Sequence, residues 1–172
     1  LVRLNVASVS VALARDGKIV WEEGFGWADR EKRIAATEHT LYSLASISKP
    51  MTATGLMVLA DRGLVRLDAP MDEYLGAAKL RARTGNAREA TVRRIASHSA
   101  GLPLHYQFFY ADEPYARPPI DETILRYANL VTPPGERYQY SNLGYGLLDY
   151  AISGVSGRDY AEFMRNEVFL PL

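Results

Sequence analysis

From Ser8 to Ala14 apolar and polar positions alternate, with Val9, Val11 and Leu13 on one face. Asp16-Gly17 follows, a pair that tolerates positive φ in a tight turn, so a β-hairpin is predicted over about 8–28. Its second arm, Lys18 to Trp27, carries Ile19, Trp21, Phe25 and Trp27 at odd positions, and Gly24 and Gly26 mark a bulge or a close backbone approach. After a polar loop the period changes. Ser46 to Arg62 reads as a helix with Pro50 in its first turn, where a missing N–H costs nothing, and Gly63 as its stop. Met51, Ala53, Leu56, Met57, Val58, Leu59 and Ala60 surround most of its circumference, which predicts a buried helix.

The region from about 68 to 172 carries shorter helical signals. Thr91 caps Val92 to Ser97, Asp121 caps Glu122 to Leu130, and Asn142 to Ser156 is ended by Gly157. A last helix is predicted around Tyr160 to Val168, with Tyr160, Phe163, Met164 and Val168 at helical spacing. Ser99-Ala100-Gly101-Leu102-Pro103 and Pro133-Pro134-Gly135 are turn-rich loops. Two strands followed only by helices make an incomplete inventory. A lone hairpin is marginal in water and leaves a strand edge open, so other strands are expected to complete the sheet.

Composition narrows the function classes. A chain of 172 residues with 48% apolar side chains fits one domain, able to bury about 70% of its unfolded surface. Twenty basic and twenty acidic residues give no formal net charge, which argues against a nucleic-acid partner or an anionic membrane surface. The local excess from Lys79 to Arg94 sets six cations against Glu89 and has no interleaved aromatic to stack on bases, so it reads as a solvated surface. There is no Cys, which excludes a Cys-based metal site, and His39, His98 and His105 lack metal-ligand spacing and read as ordinary polar residues. The longest apolar stretch, Gly55 to Ala60, is far too short for a membrane span. The chain opens on Leu1 rather than Met, and an upstream piece removed or omitted is expected.

Two polar groups carry candidate chemistry. Ser46-Ile47-Ser48-Lys49 sets a hydroxyl and an amine three residues apart at a helix start, on one face. Serine is a poor nucleophile until a base takes its proton, and the positive end of a helix disfavours an added ammonium, which suits such an amine to that task. Ten Ser and four Lys give about 0.2 chance matches to this spacing, so a plain helical cap remains an alternative. The second group is Tyr140-Ser141-Asn142, on a loop entering a helix, a usual place for exposed catalytic groups. Tyr127-Ala128-Asn129 repeats the pattern, but in the last turn of a predicted helix, where its Tyr packs on the core.

Further stretches occur in a telling order: Gly24-Phe25-Gly26-Trp27-Ala28-Asp29, Leu41-Tyr42-Ser43-Leu44-Ala45-Ser46-Ile47-Ser48-Lys49, Gly63-Leu64-Val65-Arg66-Leu67-Asp68, His98-Ser99-Ala100-Gly101-Leu102-Pro103, Pro134-Gly135, Tyr140-Ser141-Asn142 and Phe169-Leu170-Pro171-Leu172. With these the chain resembles the serine β-lactamase and D-alanyl-D-alanine peptidase superfamily, in the branch of class C β-lactamases, penicillin-binding proteins, D-aminopeptidases and β-lactamase-like esterases. The resemblance implies an α+β fold, an antiparallel sheet flanked by helices with a helical subdomain. It covers nearly all of the chain but only the N-terminal portion of such a domain. The later sheet strands, one of which carries a Lys-Thr-Gly or His-x-Gly motif in the family, are absent from this sequence. The family usually has Thr-Ser where this chain has Ser99-Ala100; the His98 loop reads as a structural turn or as a border of the substrate cleft. Tyr106, Phe108, Phe109 and Tyr110 either line that cleft or pack.

The resemblance implies a serine hydrolase acting through an acyl-enzyme on a β-lactam, a D-Ala peptide or a small ester, with no metal or organic cofactor. Ser46 is then the nucleophile, Lys49 and Tyr140 move its proton, and Asn142 holds Lys49 and a substrate amide. The Ser46 N–H supplies half an oxyanion hole. The other half is expected from the C-terminal half of the same domain or from a swapped copy, so the chain alone is expected to be nearly inactive. An esterase, or a non-catalytic binding module or inactive fragment, are the alternatives. Peptidoglycan-facing members of the family lie outside the cytoplasm, which tilts the expected location that way.

Overall fold

A computed structural model describes residues 5–105 and 112–172. The chain divides into two compact units, Leu1–Ala45 and Ser46–Leu172. In the first, β1 (Ser8–Arg15) and β2 (Lys18–Asp29) pair antiparallel. Asp16 and Gly17, at φ 51° and 74°, make the kind of turn whose twist matches that of paired strands. Leu13 faces Trp21 but Ala14 faces Ile19, so the bulge falls at Val20, beside the turn. The glycines serve close approach instead: a Cβ on Gly24 would lie 2.4 Å from the Thr37 backbone, and one on Gly26 2.3 Å from the Ala7 carbonyl oxygen.

A third strand, β3 (Ile34–Ala35), pairs antiparallel with β2. Two residues show no alternation, so the hydrophobic pattern misses it. Apart from the half-buried Gly24 and Asp29, the side chains of β2 are exposed on both faces, Trp21 at 44% and Trp27 at 43%.

A 3-10 turn, Ala45–Ile47, leads into α1 (Ser48–Asp61), the first helix of the second unit. The helix therefore starts two residues later than its pattern suggests. Its burial is one-sided, correcting the expectation of an all-round buried helix. Thr52, Gly55, Leu56 and Leu59 form a single buried stripe at helical spacing, while Met57 stays 49% exposed. Further on lie α2 (Val92–Ala96), α3 (Ile120–Tyr127), α4 (Asn142–Ser156) and α5 (Tyr160–Met164), the last running into a π-helical turn, Arg165–Phe169. Side-chain caps set three of these starts: Thr91 accepts the Arg94 N–H, Ser141 that of Gly144, and Asp159 those of Ala161 and Glu162.

α3 departs from expectation. Pro119 precedes it, Asp121 sits inside its first turn without capping, and it stops at Tyr127 rather than Leu130. Asn129–Leu130 is instead a strand, β5, parallel to β4 (Arg81–Ala82). Carbonyls of Ala128 and Leu130 accept the Arg81 and Arg83 N–H groups, both at 3.1 Å, a non-local pairing that local propensity does not reveal. The inventory of two strands followed only by helices is thus corrected by β3, β4 and β5.

α4 is the hub of this unit and touches α1, α2 and α5. Its Leu143, Leu147, Leu148 and Ile152 join Leu56, Leu59, Ile95, Phe163 and Met164 in one buried cluster, where each large side chain contributes about 1.5 to 3 kcal/mol. Thr52 Oγ1 and the Tyr160 hydroxyl, 2.6 Å apart, add a polar tie between α1 and α5. In the basic stretch, Arg93 makes a two-pronged pair with Asp68 at 2.7 and 2.8 Å, and Lys79 donates to the carbonyls of Asp72 and Leu75. Among the described residues no helix is long and apolar enough to cross a membrane.

Candidate active site

Ser46 is exposed, in the 3-10 turn ahead of α1, and the preceding Ala45 takes φ 45°, a conformation that residues with a Cβ seldom adopt. One helical turn on, Lys49 Nζ donates to Ser46 Oγ at 3.1 Å. The Tyr140 hydroxyl donates to the same oxygen at 2.7 Å. Asn142, the first residue of α4, accepts from Lys49 Nζ through Oδ1 at 2.6 Å. The four residues singled out in sequence therefore meet around one exposed hydroxyl.

A brace holds the Tyr140 segment. The carbonyl of His98 accepts the Gln139 N–H at 2.6 Å, that of Ser99 the Gly135 N–H at 2.7 Å, and that of Leu104 the Asn142 N–H at 2.9 Å. Ser141 is buried, donates through Oγ to the Pro103 carbonyl at 2.7 Å, and gives its N–H to His98 Nδ1 at 3.1 Å. Gly101 permits the close lie of the two loops: its φ is 82°, and a Cβ there would stand 2.1 Å from the Thr132 carbonyl oxygen. The His98 loop is thus a structural turn that also positions the site.

Electrostatics follow from Lys49. Its Nζ lies 4.8 Å from the Tyr140 ring centroid and 5.6 Å from that of Tyr145. Hydrogen bonding to Lys49 and then to Ser46, with the Lys49 charge adding, holds the Tyr140 phenol below the usual tyrosine range against a smaller opposing effect of burial. Burial first, and the Lys49 charge second, push His98 below the usual histidine value. Tyr145 moves up, mainly through burial, and donates to the Ala96 carbonyl at 2.9 Å. Lys49 therefore eases loss of the Tyr140 proton, at a hydroxyl within hydrogen-bond distance of Ser46 Oγ.

The repeat of the motif behaves differently. Tyr127 packs against the core, and Asn129, in β5, donates to the Arg126 carbonyl. His105 was no candidate by spacing, yet its Nδ1 lies 3.0 Å from Asn142 Nδ2. Nothing local in the sequence signals that contact. Tyr106, Phe108, Phe109 and Tyr110 lie outside the described residues. A cavity of about 410 Å³ lined by Arg117, Asp149, Tyr150 and Tyr160 includes none of the four site residues. Among the described residues no group of three or more His, Asp or Glu is placed to hold a metal ion.

The family model named Beta-lactamase matches residues 2–172. The chain belongs to that family. A similar sequence is Penicillin-binding protein 4* of Bacillus subtilis, 29% identical over 167 residues, which are 94% of this chain and 36% of that protein. The octameric penicillin-binding protein homologue from Pyrococcus abyssi is 31% identical with a TM-score of 0.81, covering 99% of this chain and 40% of that one. A D-amino acid amidase from Ochrobactrum anthropi is 27% identical with a TM-score of 0.80, covering 99% and 46%. These likenesses show the α+β, β-lactamase/transpeptidase-like fold. The chain spans between about a third and a half of the length of these proteins.

Proposed function

We propose that the chain carries the nucleophile of a serine hydrolase that works through an acyl-enzyme on an amide or ester. The supporting observation is the pair of hydrogen bonds on Ser46 Oγ, from Tyr140 at 2.7 Å and Lys49 at 3.1 Å. Once Tyr140 has lost its own proton to solvent, a loss that the adjacent Lys49 favours, Ser46 Oγ attacks the carbonyl carbon while its proton passes to the phenolate. That proton then goes to the leaving nitrogen or oxygen as the C–N or C–O bond breaks. Water attacks the ester so formed, which releases the acid and restores the Ser46 hydroxyl. Asn142 keeps Lys49 on the nucleophile through Oδ1, and its Nδ2 is the donor for a substrate carbonyl.

The Ser46 N–H is one oxyanion donor in this reading. The second comes from the C-terminal half of the same domain or from a swapped copy, a partner suggested by the share of the relatives' length that the chain spans. Loss of one such donor typically costs about 3 to 4 kcal/mol of transition-state stabilisation, so the 172-residue chain by itself is nearly inactive. Light scattering with an activity assay tests this. A folded, fully active lone monomer of the 172-residue chain overturns it.

Among substrates, a β-lactam or D-Ala-terminated peptide ranks first, in keeping with relatives named as a penicillin-binding protein and a D-amino acid amidase. A small ester ranks next. A fluorescent penicillin that labels the full-length protein, with the label lost in Ser46→Ala, supports the first. Turnover of p-nitrophenyl butyrate without penicillin labelling supports the second. Absence of both, together with no reaction with a fluorophosphonate, leaves a non-catalytic binding module.

A further inference from the structure

Tyr140 is gripped on both sides by a single residue. The His98 carbonyl accepts the N–H of Gln139, just before Tyr140, at 2.6 Å. The His98 ring accepts the N–H of Ser141, just after it, through Nδ1 at 3.1 Å. Between these bonds the His98 and Tyr140 rings pack with centroids 4.3 Å apart, tilted by 32°. His98 reaches all three contacts from φ 58°, so a strained backbone is retained at this point.

We propose that His98 is a positioning residue that sets the Tyr140 phenol on Ser46, and that a proton on His98 Nδ1 opens this clamp and slows acylation. The inference rests on the serine-hydrolase reading above. An Nδ1 that accepts an N–H carries no proton, so the clamped ring is the neutral tautomer protonated at Nε2. Protonation at Nδ1 sets two donors against each other. Among the described residues, the charged and titratable groups around the ring are Lys49 of α1, Tyr138 and Tyr140 of the loop, and Tyr145 of α4. None of them is a carboxylate that would stabilise an imidazolium, and Lys49 opposes one. Burial and Lys49 lower the His98 value, so the clamp is closed at neutral pH. It opens only as pH falls through a point below the ordinary 6.5. Besides the limb set by Tyr140, a second, lower inflection of acylation therefore belongs to His98.

The test measures the rate of Ser46 acylation by a fluorescent penicillin, or by p-nitrophenyl butyrate if penicillin does not label, across acid and neutral pH in the full-length protein. His98→Asn offers an amide oxygen near the position of Nδ1, tolerates positive φ and does not titrate. It is expected to acylate within about tenfold of the wild-type neutral rate and to lose the lower inflection while keeping the Tyr140 limb. His98→Phe keeps a ring against Tyr140 but no acceptor, and is expected to be slower by about tenfold or more at neutral pH. A lower inflection unchanged in His98→Asn, or a wild-type rate in His98→Phe, overturns the proposal while leaving the hydrolase reading intact. A wild-type protein that labels at no pH, or labelling that survives Ser46→Ala, overturns both. Independently of activity, the Ser141 amide resonance of the wild type is expected to titrate together with the His98 ring; an amide shift indifferent to that titration overturns the clamp.

Discussion

The Tyr140 hydroxyl lies 2.7 Å from Ser46 Oγ although 94 residues separate them in the chain. The contact joins the loop before α4 to the turn before α1. Lys49 completes it from the side of α1, bonded to Ser46 and, through Asn142, to the first residue of α4. The chemistry assigned to this constellation makes separable demands on each group.

Ser46→Ala removes the attacking oxygen from an exposed turn and leaves the core untouched. Covalent labelling of the full-length protein is expected to vanish, with a change in unfolding free energy within about 0.5 kcal/mol. In-gel fluorescence and a denaturant melt read the two effects.

Tyr140→Phe keeps the ring against His98 and deletes only the hydroxyl. Acylation is expected to fall by about 10² to 10⁴. Rapid-mixing measurement of acyl-enzyme formation checks this, and a rate within threefold of wild type would remove Tyr140 from the proton path.

The pH dependence carries a sign. In the proposed mechanism the phenolate of Tyr140 accepts the Ser46 proton, so the rate is expected to rise as pH rises through the Tyr140 value, which lies below the ordinary 10.0 because of its hydrogen bond to Lys49, that to Ser46 and the Lys49 charge. Removing the ammonium in Lys49→Met is expected to move that limb upward and to slow acylation at neutral pH. The pH–rate profiles of the two proteins provide the comparison; a limb that stays in place, or moves down, contradicts the assignment.

Gly101 tests the brace. A Cβ in Gly101→Ala meets a backbone oxygen at 2.1 Å and must occupy φ 82°. A loss of about 1 to 3 kcal/mol in stability is expected, larger than the usual effect at an open turn. Because the same loop holds the Tyr140 segment, acylation is expected to fall as well, whereas Tyr140→Phe lowers the rate alone.

Short-range pattern made much of this structure legible. The hairpin followed from alternation plus Asp16-Gly17, and α4 from Ser141 at its start and Gly157 at its end, because each of these signals acts within a few residues. β3, β4 and β5 escaped since two-residue strands have no period, and β4 meets β5 only through pairing across the chain. Asp121 misled as a cap because Pro119 already fixes the entry to α3. At the site, spacing within one helical turn marked Ser46 and Lys49 as a candidate pair but left a plain helical cap as the alternative. Tyr140 and Asn142 stood out from their place on a loop entering a helix, and the ordered motifs of the family were needed to join both pairs in one site, since nothing local ties residue 140 to residue 46. The clamp by His98 and the contact of His105 with Asn142 stayed hidden, as both depend on how loops lie against each other.

The most direct test of Ser46 as an oxygen activated by Lys49 and Tyr140 is peptide mapping by mass spectrometry of the full-length protein, quenched soon after mixing with a penicillin or an activated ester. The expected result is an acyl adduct confined to the peptide holding Ser46, much reduced in Tyr140→Phe and in Lys49→Met. An adduct on another residue, or one on Ser46 that forms equally fast in both variants, would contradict the account.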